Sequence, residues 1–222
     1  MFYDRSEAGA QLAHKLKQYL GKENIVFAAS PSALPIAASI ADRLSIRADL
    51  LLVKTINDPH NPGMAVGAAS ADDYFLLPGL KLPEDFLLSE LRHIEVALEK
   101  IQTRFPAVNG KFDCRDKTVV IVDDAIISPH AVHAIAHLLR KQHPKSVIIA
   151  APVASDYAAA ALRRETHHVI TIVEADRPLP LSSYFLHFHP VSDPEISHYL
   201  LRFRNFDLQA AAELPKSIGA KA

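Results

Sequence analysis

The 222-residue sequence has no tryptophan, a single cysteine and only seven glycines, and no apolar run approaches the ~20 residues needed to cross a bilayer. One cysteine, Cys114, excludes an intrachain disulfide and fits a reducing setting. No Gly-x-Gly-x-x-Gly follows a strand-like segment, which removes the usual dinucleotide loop. No Gly-x-Ser-x-Gly elbow is present, so a Ser-His-Asp hydrolase lacks its nucleophile turn. Neither sign of charge dominates: 24 Lys and Arg face 25 Asp and Glu, for a net charge of −1 and a pI near 6.9. That balance argues against a generic partner such as nucleic acid or a membrane surface. The opening MFYDRSEAGA has no signal-peptide pattern, so a cytoplasmic protein is expected. No repeat or low-complexity linker divides the chain, and residues 1–222 are expected to form one domain, with 207–222 as a loose C-terminal tail.

What is present is organised around Thr118 to Arg140, TVVIVDDAIISPHAVHAIAHLLR. Thr118 to Val122 are β-branched without alternation, the pattern of a strand buried on both faces of a parallel sheet. Asp123 and Asp124 follow, then a short loop with Ser128 and Pro129, then helical spacing in Val132, Ile135, Ala136 and Leu139. In open α/β sheets ligands collect at the carboxyl ends of strands, and helix N-termini there attract anions. An acidic pair at that point is costly unless it grips hydroxyls, a metal or a cation. The bland alternative is that the pair merely caps the next helix.

The same grammar repeats elsewhere. Residues 2–20 place Leu12, Leu16, Tyr19 and Leu20 at helical spacing, with Asp4 or Ser6 as N-cap. Asn24 to Ala29 reads as a strand, Leu34 to Leu44 as a helix and Asp49 to Val53 as a second strand, together a βαβ unit. Asn57 to Gly63 is turn-rich, and residues 64–70 and 73–77 read as a hairpin. Pro83 to Phe105 forms an amphipathic helix, and Ala107 to Lys117 a polar, exposed link holding Cys114. Ser146 to Ala151 is a strand closed by Pro152, Asp156 to Arg164 a helix, and His168 to Val173 a further strand. Ser192 with Glu195 forms a capping box for a last helix. The fold expected is α/β, a mainly parallel, doubly wound sheet flanked by helices.

Twelve histidines stand out. His130, His133 and His137 lie at i, i+3 and i+7, and the last two have metal-ligand spacing. No Glu or Cys accompanies them in the helix, so a solvated polar face is the better account. His187 and His189 alternate with Leu186 and Phe188, as along an edge strand.

These segments resemble the phosphoribosyltransferases. Strand, Asp-Asp, loop and helix is similar to their binding motif for phosphoribosyl pyrophosphate; Phe2, Asp4, Arg5, Ala8 and Gly9 resemble the bacterial subfamily's opening, as do NPGMAVGA and the tail from Ser182. The resemblance implies a type I phosphoribosyltransferase-like sheet with a small hood from the termini and residues 57–80. It implies that Asp123 and Asp124 hold the ribose hydroxyls, Ser128 and neighbouring N–H groups the 5′-phosphate, and Lys54, with the Ser30-Pro31-Ser32-Ala33 loop, the pyrophosphate. His130, beside the phosphate position, would replace a lost donor if protonated. Mg²⁺ would arrive with the substrate, touching Asp123 and Asp124. Tyr184, Phe185 or Phe188 would border the base. The sequence departs from the family where Ser30 to Ala33 carries neither Arg nor Gly, and where Ala125, Pro129 and Ala131 alter the phosphate loop. The expected function is transfer of a phosphoribosyl group to a nitrogenous acceptor in nucleotide metabolism. The alternative is a catalytically silent relative that binds a nucleotide, a phosphosugar or a protein partner. Apolar Tyr74 to Leu77 would suit a homodimer.

Overall fold

The computed structural model describes residues 1–213 apart from 22, 111, 112, 166 and 167, and for 210–213 the backbone only. Its main sheet is wholly parallel. Strand β1 (Ile25–Ala28) lies between β2 (Arg47–Leu50) and β6 (Thr118–Val122). Strand β8 (Ser146–Ser155) follows β6 and carries β9 (His168–Ala175) on its other side. The short β7 (Ala125–Ile126) also pairs with β8, in line with β6. Val122 faces Ala150 and Ala125 faces Val153, so β6 and β7 are one strand interrupted at Asp123 and Asp124. Pro152, which has no N–H to give a ladder, falls opposite that interruption. The strand therefore runs on to Ser155, beyond the stop expected at Pro152.

Successive residues of the central strands enter two cores, as the period of two requires. Val26, Ala28, Val120, Val122, Ile148 and Ala150 pack with α1 (Arg5–Leu16), α2 (Leu34–Leu44), α3 (Glu84–Arg104) and the buried residues of α6 (Asp193–Glu213). Ile25, Phe27, Val119, Ile121, Val147 and Ile149 pack with α4 (Pro129–Arg140) and α5 (Asp156–Arg163). Both faces are thus covered, which explains the unbroken burial of β1 and β6.

The helices start where the chemistry directs. Asp4 accepts a hydrogen bond from the Glu7 N–H at 2.8 Å and caps α1. Gly9 lets α1 lie against α2, because a Cβ there would sit 2.7 Å from the Ile36 carbonyl oxygen and 2.7 Å from Ser39 Cβ. Ser192 and Glu195 do interact, the Glu195 carboxylate accepting from the Ser192 N–H at 2.8 Å and hydroxyl at 2.6 Å.

Several expectations need correction. The second strand begins two residues earlier than expected, at Arg47, so Asp49 lies within it and is buried. The turn-rich 57–63 segment belongs to an antiparallel sheet of β3 (Lys54–Asp58), β4 (Asn61–Ala69) and β5 (Tyr74–Leu76). That sheet docks on α4 through Ala68, Phe75 and Leu77, so Leu77 is buried and the Tyr74 to Leu77 stretch is not an open apolar patch. Cys114 is buried, in the same core cluster as Phe27, rather than exposed. His187 and His189 lie on no strand; only Phe185 bridges, to Phe2. Helix α6 continues through residues 207–213, and the rest of the expected tail lies outside the described residues. No helix among the described residues is long and apolar enough to cross a membrane.

Candidate functional site

From β1 the chain leaves first to one side, to β2, and β6 later fills the other side. The crevice between β1 and β6 is the topological switch point of the sheet, where diverging loops leave room for a ligand. The Ala29 N–H donates to the Val122 carbonyl at 2.8 Å and brings the loop after β1 beside the loop after β6. Four of the residues singled out in the sequence meet here. The Ser30 hydroxyl donates to Asp123 Oδ1 at 2.8 Å and lies 3.0 Å from the Ser32 hydroxyl. The Asp124 N–H also donates to Asp123 Oδ1, at 2.9 Å.

Asp124 is held by a residue from the first turn of α1. Arg5 Nε donates to Asp124 Oδ2 at 3.1 Å, and Arg5 Nη1 donates to the His189 carbonyl at 2.7 Å. The guanidinium carbon stands 4.0 Å above the centre of the Phe188 ring. Arg5 and Asp124 are both buried, at 6% exposure each. In the sequence Arg5 stands out only as part of an opening motif; its contact with Asp124 spans 119 positions and leaves no local trace there.

Burial sets the electrostatics. It pushes the Asp123 carboxyl up to about 6, against the opposing hydrogen bonds from Ser30 and the Asp124 N–H, with the neighbouring Asp124 charge adding to the rise. Burial also raises Asp124, opposed first by the Arg5 charge. Ser32 is close enough to add a weak lowering influence, yet Asp124 Oδ1 stays buried and receives no hydrogen bond among the described residues. A buried acceptor left in that state costs about 1–3 kcal/mol, which a ligand donor recovers.

Ser128 and His130 form a separate pair on the first turn of α4. The Ser128 hydroxyl lies 2.8 Å from His130 Nδ1 instead of capping the helix, so the first N–H groups of α4 have no side-chain cap. Ser155 fixes the preceding loop by donating to the Ile127 carbonyl at 2.8 Å, while its own oxygen caps α5. Lys54 opens β3 in the antiparallel sheet, exposed, and its side chain makes no hydrogen bond or ion pair among the described residues. The aromatic candidates divide: Phe185 is buried with its ring 5.2 Å from Phe2, Phe188 covers Arg5, and the Tyr184 hydroxyl accepts from the Leu179 N–H.

A wholly parallel α/β sheet with an acidic pair at its switch point is the ligand-binding architecture of the doubly wound proteins. Residues 3–177 match the family model of the phosphoribosyl transferase domain, and the chain belongs to that family. A crystal structure of the protein TT1426 from Thermus thermophilus has the same fold, with a TM-score of 0.83 at 27% identity over 91% of this chain and 98% of that one. A Mycobacterium tuberculosis protein named "Putative phosphoribosyl transferase Rv0571c" is 26% identical over 97% of this chain. The chain spans about half the length of that relative, 51%.

Proposed function

We propose that this chain binds phosphoribosyl pyrophosphate at the β1–β6 crevice and transfers its phosphoribosyl group to a nitrogenous acceptor. The observation that carries this is Asp124 Oδ1, a buried acceptor that receives no hydrogen bond among the described residues, beside a second carboxylate, where a ribose diol would supply two hydroxyl donors. Asp123 and Asp124 orient the sugar by accepting from its 2′- and 3′-hydroxyls. Ser128, His130 and the uncapped N–H groups of α4 receive the 5′-phosphate. Ser30, Ser32 and Lys54 face the pyrophosphate.

In the reaction the bond from the anomeric carbon to the pyrophosphate oxygen breaks, its electron pair leaves with pyrophosphate, and a bond to the acceptor nitrogen forms. The nitrogen loses a proton. Positive charge on the sugar ring in the transition state is favoured by two nearby carboxylates, whose field needs no rearrangement as it develops. The donor set, two aspartates with one oxygen unpaired, suits a hard cation; Mg²⁺ when bound would neutralise the leaving pyrophosphate.

A second reading, a binder without turnover, has its own support. The Ser30 hydroxyl is already committed to Asp123, and the loop from Ser30 to Ala33 offers no cation. Titration calorimetry with phosphoribosyl pyrophosphate, with and without Mg²⁺, tests the site. A pyrophosphate-release assay across purine and pyrimidine bases separates the two readings. Mg²⁺-dependent binding with release supports transfer, binding without release supports a silent relative that keeps this ligand, and no binding at millimolar ligand rejects transfer and leaves a silent relative with a different ligand or a protein partner.

A further inference from the structure

The histidines of α4 do not form the solvated face their spacing suggests. His133 and His137 are both half-buried, one helical turn apart, and their rings meet edge to face with centroids 4.5 Å apart. The His137 ring lies flat against Phe75 of β5, 4.7 Å between centroids and 6° between planes, which fixes its orientation. Glu165, just past the end of α5, projects its carboxylate between them. His133 Nε2 contacts Glu165 Oε2, and His137 Nε2 stands 3.7 Å from the same oxygen. The acidic partner missing from α4 in the sequence is supplied by the next helical segment.

We propose that His133, His137 and Glu165 form a zinc site that ties α4 to the end of α5. Zinc takes imidazole nitrogen and carboxylate oxygen ligands in a tetrahedron, with bonds near 2 Å and hence ligand atoms about 3.3 Å apart. The three ligating atoms here all lie within 4.8 Å of one another, and small changes in the His133 and Glu165 side-chain torsions bring them to that spacing. Two histidines at i, i+4 on one helix face are a rigid half of such a site. Glu165 is exposed, which leaves the fourth position open to water.

One group opposes the ion. Arg140 Nη1 lies 3.3 Å from His137 Nε2, while its Nη2 donates to the Glu165 carbonyl at 2.5 Å. Zinc must displace the first contact and can leave the second in place. That opposition distinguishes a metal site from a purely structural cluster: removal of Arg140 should weaken a polar cluster but tighten a metal site.

The test uses the full chain, stripped by chelator and titrated with Zn²⁺, with Co²⁺ as a spectroscopic probe of tetrahedral geometry. One Zn²⁺ per chain is expected. His137→Gln and Glu165→Gln should each weaken uptake by roughly tenfold or more, and Arg140→Gln should tighten it. Circular dichroism shows which variants fold; Glu165→Gln, at an exposed side chain, keeps the test available should His137→Gln fail. Absence of uptake by the native chain, uptake indifferent to Glu165→Gln, or weaker uptake in Arg140→Gln overturns the proposal.

Discussion

Arg5 Nε and Asp124 Oδ2 meet at 3.1 Å in the interior, joining the first turn of α1 to the second carboxylate of the acidic pair. The same guanidinium reaches the His189 carbonyl and lies on Phe188, so one side chain fixes the acidic pair, the first helix and a C-terminal segment together. Arg5→Met should leave a buried carboxylate uncompensated and cost about 3–5 kcal/mol in urea denaturation. Arg5→Lys should recover little, because an ammonium cannot make both directed contacts while stacked on a ring. Combining Arg5→Met with Asp124→Asn should restore much of the loss, a coupling that a double-mutant cycle measures.

Asp123→Asn should separate stability from binding. The Asp123 carboxyl is raised from 3.8 to about 6, so the folded state holds a proton that the unfolded state releases between those values. Stability from this group is therefore greatest below pH ~4 and is lost as pH rises through about 6. An asparagine oxygen can still accept from Ser30 and from the Asp124 N–H. The variant should match the native chain near pH 3.5 and exceed it at pH 7.5, by about 1–2 kcal/mol after allowance for solvent screening. Thermal melts at the two pH values check this. Calorimetry with phosphoribosyl pyrophosphate should show binding lost in the same variant.

Gly9→Ala tests the contact between α1 and α2. An added methyl would lie 2.7 Å from a backbone carbonyl oxygen, which cannot rotate away as a side chain can. The helices must separate, at a cost of about 1–3 kcal/mol in chemical denaturation. Helix propensity alone predicts a gain of up to ~1 kcal/mol, so the two effects have opposite signs.

Cys114 should react slowly with a thiol reagent in the native state. It is 1% exposed and burial pushes its thiol up to about 11, so both access and thiolate are scarce at neutral pH. Its labelling rate should rise sharply with sub-denaturing urea if the 107–117 link opens before the sheet does. A rate equal to that of a free thiol in the absence of denaturant would contradict the burial.

The elements most legible in the sequence are those whose signals are local. Thr118 to Val122 shows its double burial in five unbroken apolar or β-branched residues, and Asp4 announces α1 because a cap needs only the next three residues. The start of β2 is hidden because Arg47 looks like a loop residue. Asp49 is tolerated inside a strand because its carboxylate accepts from the N–H groups of Leu50 and Asn109, and burial raises it to about 7. The Asn109 contact comes from 60 residues away. At the candidate site, Asp123, Asp124, Ser30 and Ser32 are legible from position at strand ends. Arg5 and Glu165 are not, because each acquires its role only when a distant helix is docked.

The interruption between β6 and β7 makes the segment from Asp123 to Ile126 intolerant of changes in length. Both sides of the gap are registered against one continuous neighbour, β8, with Val122 on Ala150 and Ala125 on Val153. Inserting or removing one residue would reverse the facing of β7 and carry Ile126, 2% exposed, out of its core. Divergence in this crevice is thereby channelled into side-chain identity, while the number of residues between β6 and β7 is held fixed by the sheet itself.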